Sequence, residues 1–295
     1  MSGIYIAALI TTAIVLALYG GIIRRMRSPT NERLLLVAFL IALPLQPLAF
    51  YLVRVPLNNW LAGLLGTGSN LYQILTTLYA PLTEEPAKLV PLLIPAIFRD
   101  IRRDNFVRYA MAIGLGFGIG EIWFIAERLA QSPVYAPLPF YQFGGFMGER
   151  LIVCLIHGAF LSVSLWLLHR GLLWGLCLAM LLHYFGNFPI FLMQKNAFGL
   201  GQTVWVVLVS LWIQLYFFGG IALLARFHYG KASVGRFIFG KARCPECTFV
   251  YDRPLFGLNL GPRRYERCPG CKHWHMINLS TDVPDEDTVA SPPSH

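Results

Sequence analysis

A chain of 295 residues that is 56% hydrophobic, 13% charged and carries a net charge of +9 has too little charge to coat a soluble globule, in which about 25% of residues are charged. Composition therefore excludes an ordinary water-soluble domain. Several apolar stretches of about 20 residues have the length of helix that crosses a hydrocarbon core of about 30 Å.

Hydropathy predicts seven spans, over residues 3–23, 34–53, 78–98, 109–126, 149–168, 172–193 and 202–225. The first opens on Met-Ser-Gly, lacks a basic leader and a small-residue cleavage site, and is followed by Arg24, Arg25 and Arg27. It reads as an anchor that is retained. Residues 55–77 are apolar but broken by Gly63, Gly66, Gly68 and Asn70, and read as an interfacial or re-entrant helix. The expected fold is an all-α polytopic membrane helix bundle of about seven transmembrane helices over residues 1–230, followed by a small zinc-ribbon module.

Cytoplasmic loops collect Lys and Arg. With the N-terminus outside, nineteen basic residues fall inside, among them Arg24 to Arg33, Arg99 to Arg108, Arg170 and those from Arg226 onward. Four fall outside, namely Arg54, Arg128, Arg150 and Lys195, and Lys88 is left within a span. The expectation is an integral, multi-pass protein of a bacterial inner membrane, with its C-terminal module in the cytoplasm.

Within the spans lie Glu84, Glu85, Lys88, Glu121, His157 and His183, with Asn187 nearby. An ionisable group at mid-bilayer costs about 2.5–3.5 kcal/mol on insertion scales, so each needs a partner or a purpose. Counted from the cytoplasmic ends of their spans, Glu85, Glu121, His157 and His183 all fall at a depth of about 17–20 Å. Four helices thus bring them to one level. Lys88 follows Glu84 by four residues and Glu85 by three, within reach of either carboxylate. Glu84, Glu85 and Pro86 read as the first turn of a helix capped by Thr83, where the positive helix end favours ionised carboxylates. Glycines in Gly114-Leu-Gly-Phe-Gly-Ile-Gly120, before Glu121, allow close helix approach. His183 and Asn187 share one helix face.

This set supports hydrolysis. Two histidines with a glutamate are ligand types for a catalytic zinc, and a second glutamate next to them can act as general base; without metal, a glutamate pair can activate water directly. The rivals are a proton- or ion-coupled transporter, which also places such groups at mid-depth, and a non-catalytic receptor or scaffold working through its C-terminal module.

Cys244-Pro-Glu-Cys247 and Cys268-Pro-Gly-Cys271 are separated by twenty residues. The spacing is that of a structural zinc ribbon, in which four thiolates close a tetrahedral Zn2+ site. Its expected extent is residues 240–278, with 279–295 an acidic, proline-containing disordered tail. His273 and His275 lie close enough to substitute as ligands, but four cysteines suffice and both read as surface histidines. Cys154 and Cys177, within spans, read as packing residues. The ten basic and three acidic residues from Arg226 to Lys272 suit anionic lipid headgroups next to a last membrane helix. No specific nucleic acid is expected.

The motif Glu84-Glu85-Pro-Ala-Lys88 resembles the Glu-Glu-x-x-Lys motif of the PrsW family of intramembrane peptidases, distant relatives of the CAAX prenyl endopeptidases. Gly114-Leu-Gly-Phe-Gly-Ile-Gly-Glu121 is similar to that family's glycine-rich glutamate motif, and His157 in Ile-His-Gly and His183 in Leu-His-Tyr-Phe-Gly-Asn187 resemble its two histidine motifs. The match covers about residues 80–190, in motif order. Where the family usually places Asn after its third glutamate, this chain has Ile122. The resemblance implies cleavage of a peptide bond in a membrane-anchored protein. It makes Glu84 or Glu85 the general base and the other glutamates, with His157 and His183, metal ligands or oxyanion stabilisers; Glu121, His157 and His183 are the candidate ligands of a catalytic metal.

Overall fold

The computed structural model describes residues 2–26, 28–229, 241–254, 257–260 and 263–278. The acidic tail expected over 279–295 lies outside them. The chain is mostly helical and divides into two compact units, Met1–Leu224 and Ala225–His295.

In the first unit, α1 (Gly3–Val15) and α2 (Gly21–Arg25) join through a π-turn into one helix, Gly3–Arg25. Then follow α3 (Glu32–Ala42), α4 (Leu45–Ala49), α5 (Val55–Leu65), α6 (Asn70–Thr76), α7 (Tyr79–Ala87), α8 (Pro95–Asp100), α9 (Phe106–Ala130), α10 (Gly144–Leu168), α11 (Gly175–Gln194) and α12 (Gln202–Tyr229). Among the described residues six helices are long and apolar enough to cross a membrane: Gly3–Arg25, Leu45–Leu65, Phe106–Ala130, Phe140–Leu168, Gly175–Gln194 and Gln202–His228.

Two expected spans are redrawn. The span over 34–53 is interrupted at Leu43 and Pro44, since a proline ring clashes with the preceding turn and supplies no N–H. Its second half continues past Arg54 as α4, a π-turn and α5, one helix over Leu45–Leu65. The stretch expected as an interfacial or re-entrant helix thus begins as the end of a membrane-length helix. That helix stops at Gly66, whose φ of +72° is the left-handed conformation that glycine adopts freely.

The span over 78–98 is broken rather than continuous. After α7 come a 3-10 turn, Val90–Leu93, and then α8, with Pro86, Pro91 and Pro95 removing successive backbone donors. Its passage through the bundle is nevertheless complete. At one end Asn31 N donates to Asp100 Oδ2 (3.1 Å), Arg108 Nε donates to Ile23 O (3.0 Å), and Arg108 pairs with Glu32 (2.7 Å). At the other end Ser2 Oγ donates to Ala136 O (3.2 Å) and Lys195 Nζ to Gln73 Oε1 (2.6 Å). Residues 78–100 therefore run from the second end back to the first, in pieces.

The centre of the bundle is the crossing of α9 and α10. Phe106 to Ile119 are buried without a break, as are Gly158 to Leu165 on α10. A Cβ on Gly114 would collide with the backbone of Gly158, and one on Gly120 with the carbonyl oxygen of Leu43. Glycine at these positions is what lets α9 seat against α10 on one side and the α3–α4 bend on the other. By contrast α12 leaves Leu211, Leu215 and Phe218 about 60% exposed, an apolar outer face that suits acyl chains rather than water.

The second unit holds two antiparallel sheets. One pairs β1 (Lys241–Arg243) with β2 (Val250–Asp252); the other runs β3 (Gly257–Leu260), β4 (Arg263–Arg267), β5 (Trp274–Asn278). Its small core is Ala242, Cys244, Tyr251, Cys268 and Ile277.

Candidate functional site

The structure brings together the ionisable residues singled out in the spans. Glu84 and Glu85 lie in the last turns of α7 and not the first: the helix begins at Tyr79, and the Thr83 hydroxyl donates to Tyr79 O (2.6 Å) instead of capping. The negative helix end does not favour carboxylates, so their charge depends on side-chain partners. Glu85 Oε1 accepts from Lys88 Nζ (2.7 Å) and lies 2.6 Å from His183 Nδ1. Glu84 Oε1 accepts from Arg54 Nη2 (2.6 Å), and Glu84 Oε2 lies 3.9 Å from His183 Nε2. His183 thus stands between the two neighbouring carboxylates.

A second group is built on α9 and α10. Glu121 Oε2 lies 2.9 Å from His157 Nε2, and Glu121 Oε1 lies 2.9 Å from Arg150 Nη1; Arg150 Nη2 reaches Glu149 (2.7 Å). The two groups meet at their imidazoles, whose ring centres are 6.2 Å apart. Phe117 ties them from behind, with its ring centre 5.1 Å from Lys88 Nζ and 5.0 Å from that of His157. Such a cation over an aromatic face gains about 2 kcal/mol when desolvated.

Burial is nearly complete: the side chains of Glu85 and Lys88 have no exposed surface and that of His157 is 4% exposed. Paired carboxylates (Glu84, Glu85, Glu121) and paired cations (Arg54, Lys88, Arg150) balance in number, which lets so many ions occupy an apolar interior. Among the described residues five buried atoms of these side chains have no hydrogen-bond partner, Arg54 Nε, Glu85 Oε2, Arg150 Nε, Arg150 Nη1 and His157 Nδ1. A small open cavity of about 70 Å3 adjoins the histidines. His157, His183 and Asn187 line it beside Ile152, Phe160 and Tyr216, so a polar floor of small extent meets an otherwise apolar wall.

Arg54 and Arg150 are the site residues that sequence reasoning missed, because charge counting assigned both to outer loops. The available signal was an arginine inside an apolar run, where it needs a carboxylate. Arg150 also supplies Glu121 with an ion-pair partner (2.9 Å), where the buried Ile122 offers no polar side-chain group.

In the second unit Cys244, Cys247, Cys268 and Cys271 gather with all four Sγ atoms within 4.8 Å of one another, an arrangement that could hold a metal ion. The two knuckles fold alike. Thr248 N and Lys272 N donate back to the carbonyls of Cys244 and Cys268 (3.1 and 3.0 Å), and Thr248 and Lys272 each take a positive φ, 58° and 64°. Backbone N–H groups of Cys247 and Gly270 point at Cys244 Sγ and Cys268 Sγ (3.5 and 3.3 Å). Burial opposes ionisation of Cys244, but the amides of Cys247 and Glu246 outweigh it and bring the thiol down to about 6. At Cys271 the amide of His273 lowers the thiol, yet burial and the three neighbouring sulfurs push it up to about 12.

Among the described residues of the first unit, no three His, Cys, Asp or Glu donors converge as these cysteines do. Glu121, His157 and His183 are arranged as members of two separate carboxylate–imidazole pairs. No family model, curated protein or solved structure matches the chain. The resemblance to PrsW peptidases therefore rests on the motifs alone.

Proposed function

We propose that the helical unit is an intramembrane peptidase of the PrsW type, hydrolysing a peptide bond in a membrane-associated protein. The observation that carries this reading is Glu85. Its Oε1 is held by Lys88 and His183 while its Oε2 has no partner, and His183 connects it to a cavity that His183 lines with His157 and Asn187.

Glu85 Oε2 is the base. It takes a proton from water, the water oxygen bonds to the scissile carbonyl carbon, and the protonated Glu85 returns that proton to the leaving nitrogen as the C–N bond breaks. His157, whose Nε2 faces Glu121, stabilises the negative oxygen that develops only as an imidazolium, in which the free Nδ1 also carries a proton to donate. Glu84 and Arg54 fix the far side of His183, and Arg150 fixes Glu121. Glu121, His157 and His183 are metal ligands in kind, but both oxygens of Glu121 already face His157 and Arg150, so an ion bound through Glu121 would have to displace one of them.

In the membrane, the six long helices and the broken α7–α8 segment make seven traverses, with the N-terminus outside and the cysteine module in the cytoplasm; the bundle end carrying Arg25, Arg99 and Arg108 is the basic one. The ion in the cysteine module is Zn2+. A tetrahedron with metal–sulfur bonds of about 2.3 Å has edges of about 3.8 Å, and the Cys244 to Cys271 and Cys247 to Cys268 sulfur distances are both 3.7 Å. A disulfide would hold the atoms at about 2.05 Å.

The test compares newly formed N-termini among membrane proteins of cells expressing the wild type or Glu85→Gln. Cleavage products present with the wild type and absent with the variant are expected. Identical profiles at equal expression would sink the proposal. One observation favours a second reading: a helix broken at buried charges is also the device of ion-coupled transporters. Proton flux in proteoliposomes that depends on Glu85 and Lys88, without cleavage, would select it.

A further inference from the structure

The cysteine module contains a second set of donors that the four-cysteine site does not use. Glu246 Oε2 lies 3.0 Å from His273 Nδ1 and 3.2 Å from His275 Nε2, and His275 Nε2 lies 3.4 Å from Cys271 Sγ. One donor atom each from Glu246, Cys271, His273 and His275 falls within 4.8 Å of the others. His273 and His275, two residues apart, share a side of the chain entering β5, and Cys271 comes to them through the knuckle turn at Lys272. Glu246, inside the first knuckle, meets them from the facing turn.

The distances suit an ion at the centre. Nitrogen and oxygen ligands at about 2.0–2.2 Å and sulfur at about 2.3 Å give tetrahedral edges of about 3.3–3.7 Å. Charge argues the same way. Four thiolates around one divalent ion leave an excess of two negative charges, to which Glu246 adds a third. Three of the module's arginines are engaged elsewhere: Arg253 and Arg264 face the buried Glu266, and Arg267 Nε donates to Lys272 O.

We propose that Glu246, Cys271, His273 and His275 form a second metal site, joined to the four-cysteine site by the shared Cys271 thiolate. Imidazole and thiolate select a borderline divalent transition ion such as Zn2+ or Co2+ over Mg2+ or Ca2+. The two sites differ in access. Cys244 and Cys268 are buried, whereas the side chains of Glu246 and His273 are 54% and 67% exposed. The second ion enters from solvent and exchanges first, so the module has a permanent structural ion and one that follows metal availability. Only the bridge rests on the four-cysteine site being occupied.

The test is Co2+ titration of the tag-free, full-length protein in detergent, with bound metal counted after equilibrium dialysis and thiolate-to-cobalt absorption read in parallel. The wild type should take up two equivalents. Glu246→Gln combined with His273→Ala should take up one, keeping the thiolate absorption of the four-cysteine site. A single equivalent in the wild type, lost on Cys244→Ser with Cys247→Ser, would overturn the second site and leave the first. Two equivalents that survive the Glu246, His273 double substitution would also overturn it. Uptake of none would overturn both sites.

Discussion

Removing Lys88 is the sharpest physical test of the buried network. Its ammonium lies 2.7 Å from Glu85 Oε1, and neither side chain has exposed surface. At that distance and an effective dielectric constant of 20, a unit pair attracts by about 6 kcal/mol. Desolvating two ions costs several kcal/mol each, so the intact pair is near neutral, while a half-broken one loses about 3–5 kcal/mol. Lys88→Met should therefore destabilise by about 3 kcal/mol, the low end of that range, since His183 remains 2.6 Å from the same oxygen. Glu85→Gln with Lys88→Met removes both charges and should recover most of the loss, a coupling of about 2 kcal/mol or more. Unfolding in mixed micelles, followed through the seven tryptophans, measures all three variants against the wild type. A cost below about 1 kcal/mol for Lys88→Met, or strict additivity in the double variant, would mean that the pair is solvated and the charge-balanced interior is wrong.

Gly114→Leu should cost about 3 kcal/mol or more by forcing α9 from α10, whereas Gly148→Ala, with open space around it, should leave the melting temperature of the solubilised protein unchanged. Arg150→Met should lower turnover by about 10- to 100-fold by freeing Glu121, and Arg150→Lys should restore part of it; equal activity in all three forms would remove Arg150 from the site. Metal retention in the cysteine module should weaken steadily as pH falls, because protons compete with metal for Cys271, whose thiol is pushed up to about 12, long before they reach Cys244, lowered to about 6, and retention is lost once Cys244 too is protonated. Chelator competition at pH 5.5, 6.5 and 7.5 would show the trend, and a flat profile would contradict it. Stripping the metal should also expose residues 241–278 to protease, because in so small a unit metal binding supplies much of the folding energy.

How far the sequence reached can be seen residue by residue. Glu84, Glu85, Glu121, His157 and His183 were legible because an ionisable group in an apolar run has few places to go, and the structure does bring them together. Arg54 and Arg150 were not, since counting positive charge treats an arginine as the end of a span. A paired arginine is cheap enough to lie within one. The interruption at Pro44 and the unwinding after Lys88 escaped for a related reason: a hydropathy window averages over proline, while the backbone responds to each missing N–H. His273 and His275 read as surface residues until β5 set them against Glu246. That contact joins positions too far apart in the chain for local pattern to reveal.

The α11 helix buries only Gly175, Ala179 and His183, and its remaining turns, through Asn187 and past Pro189, carry no buried side chain. It is pinned at its start, where Gly175 meets Leu167, and again at His183. Gly186, Asn187 and Ile190 on that thinly held stretch form one wall of the cavity. Beyond His183 the stretch is held by Trp212 Nε1, which donates to Phe185 O (3.0 Å), by Gly186 against Tyr216, and past its end by Lys195 on Gln73 (2.6 Å). His183 therefore belongs at once to the cavity wall and to the carboxylate network, so any change that moves this part of α11 alters the width of the cavity and the pairing of Glu85 together.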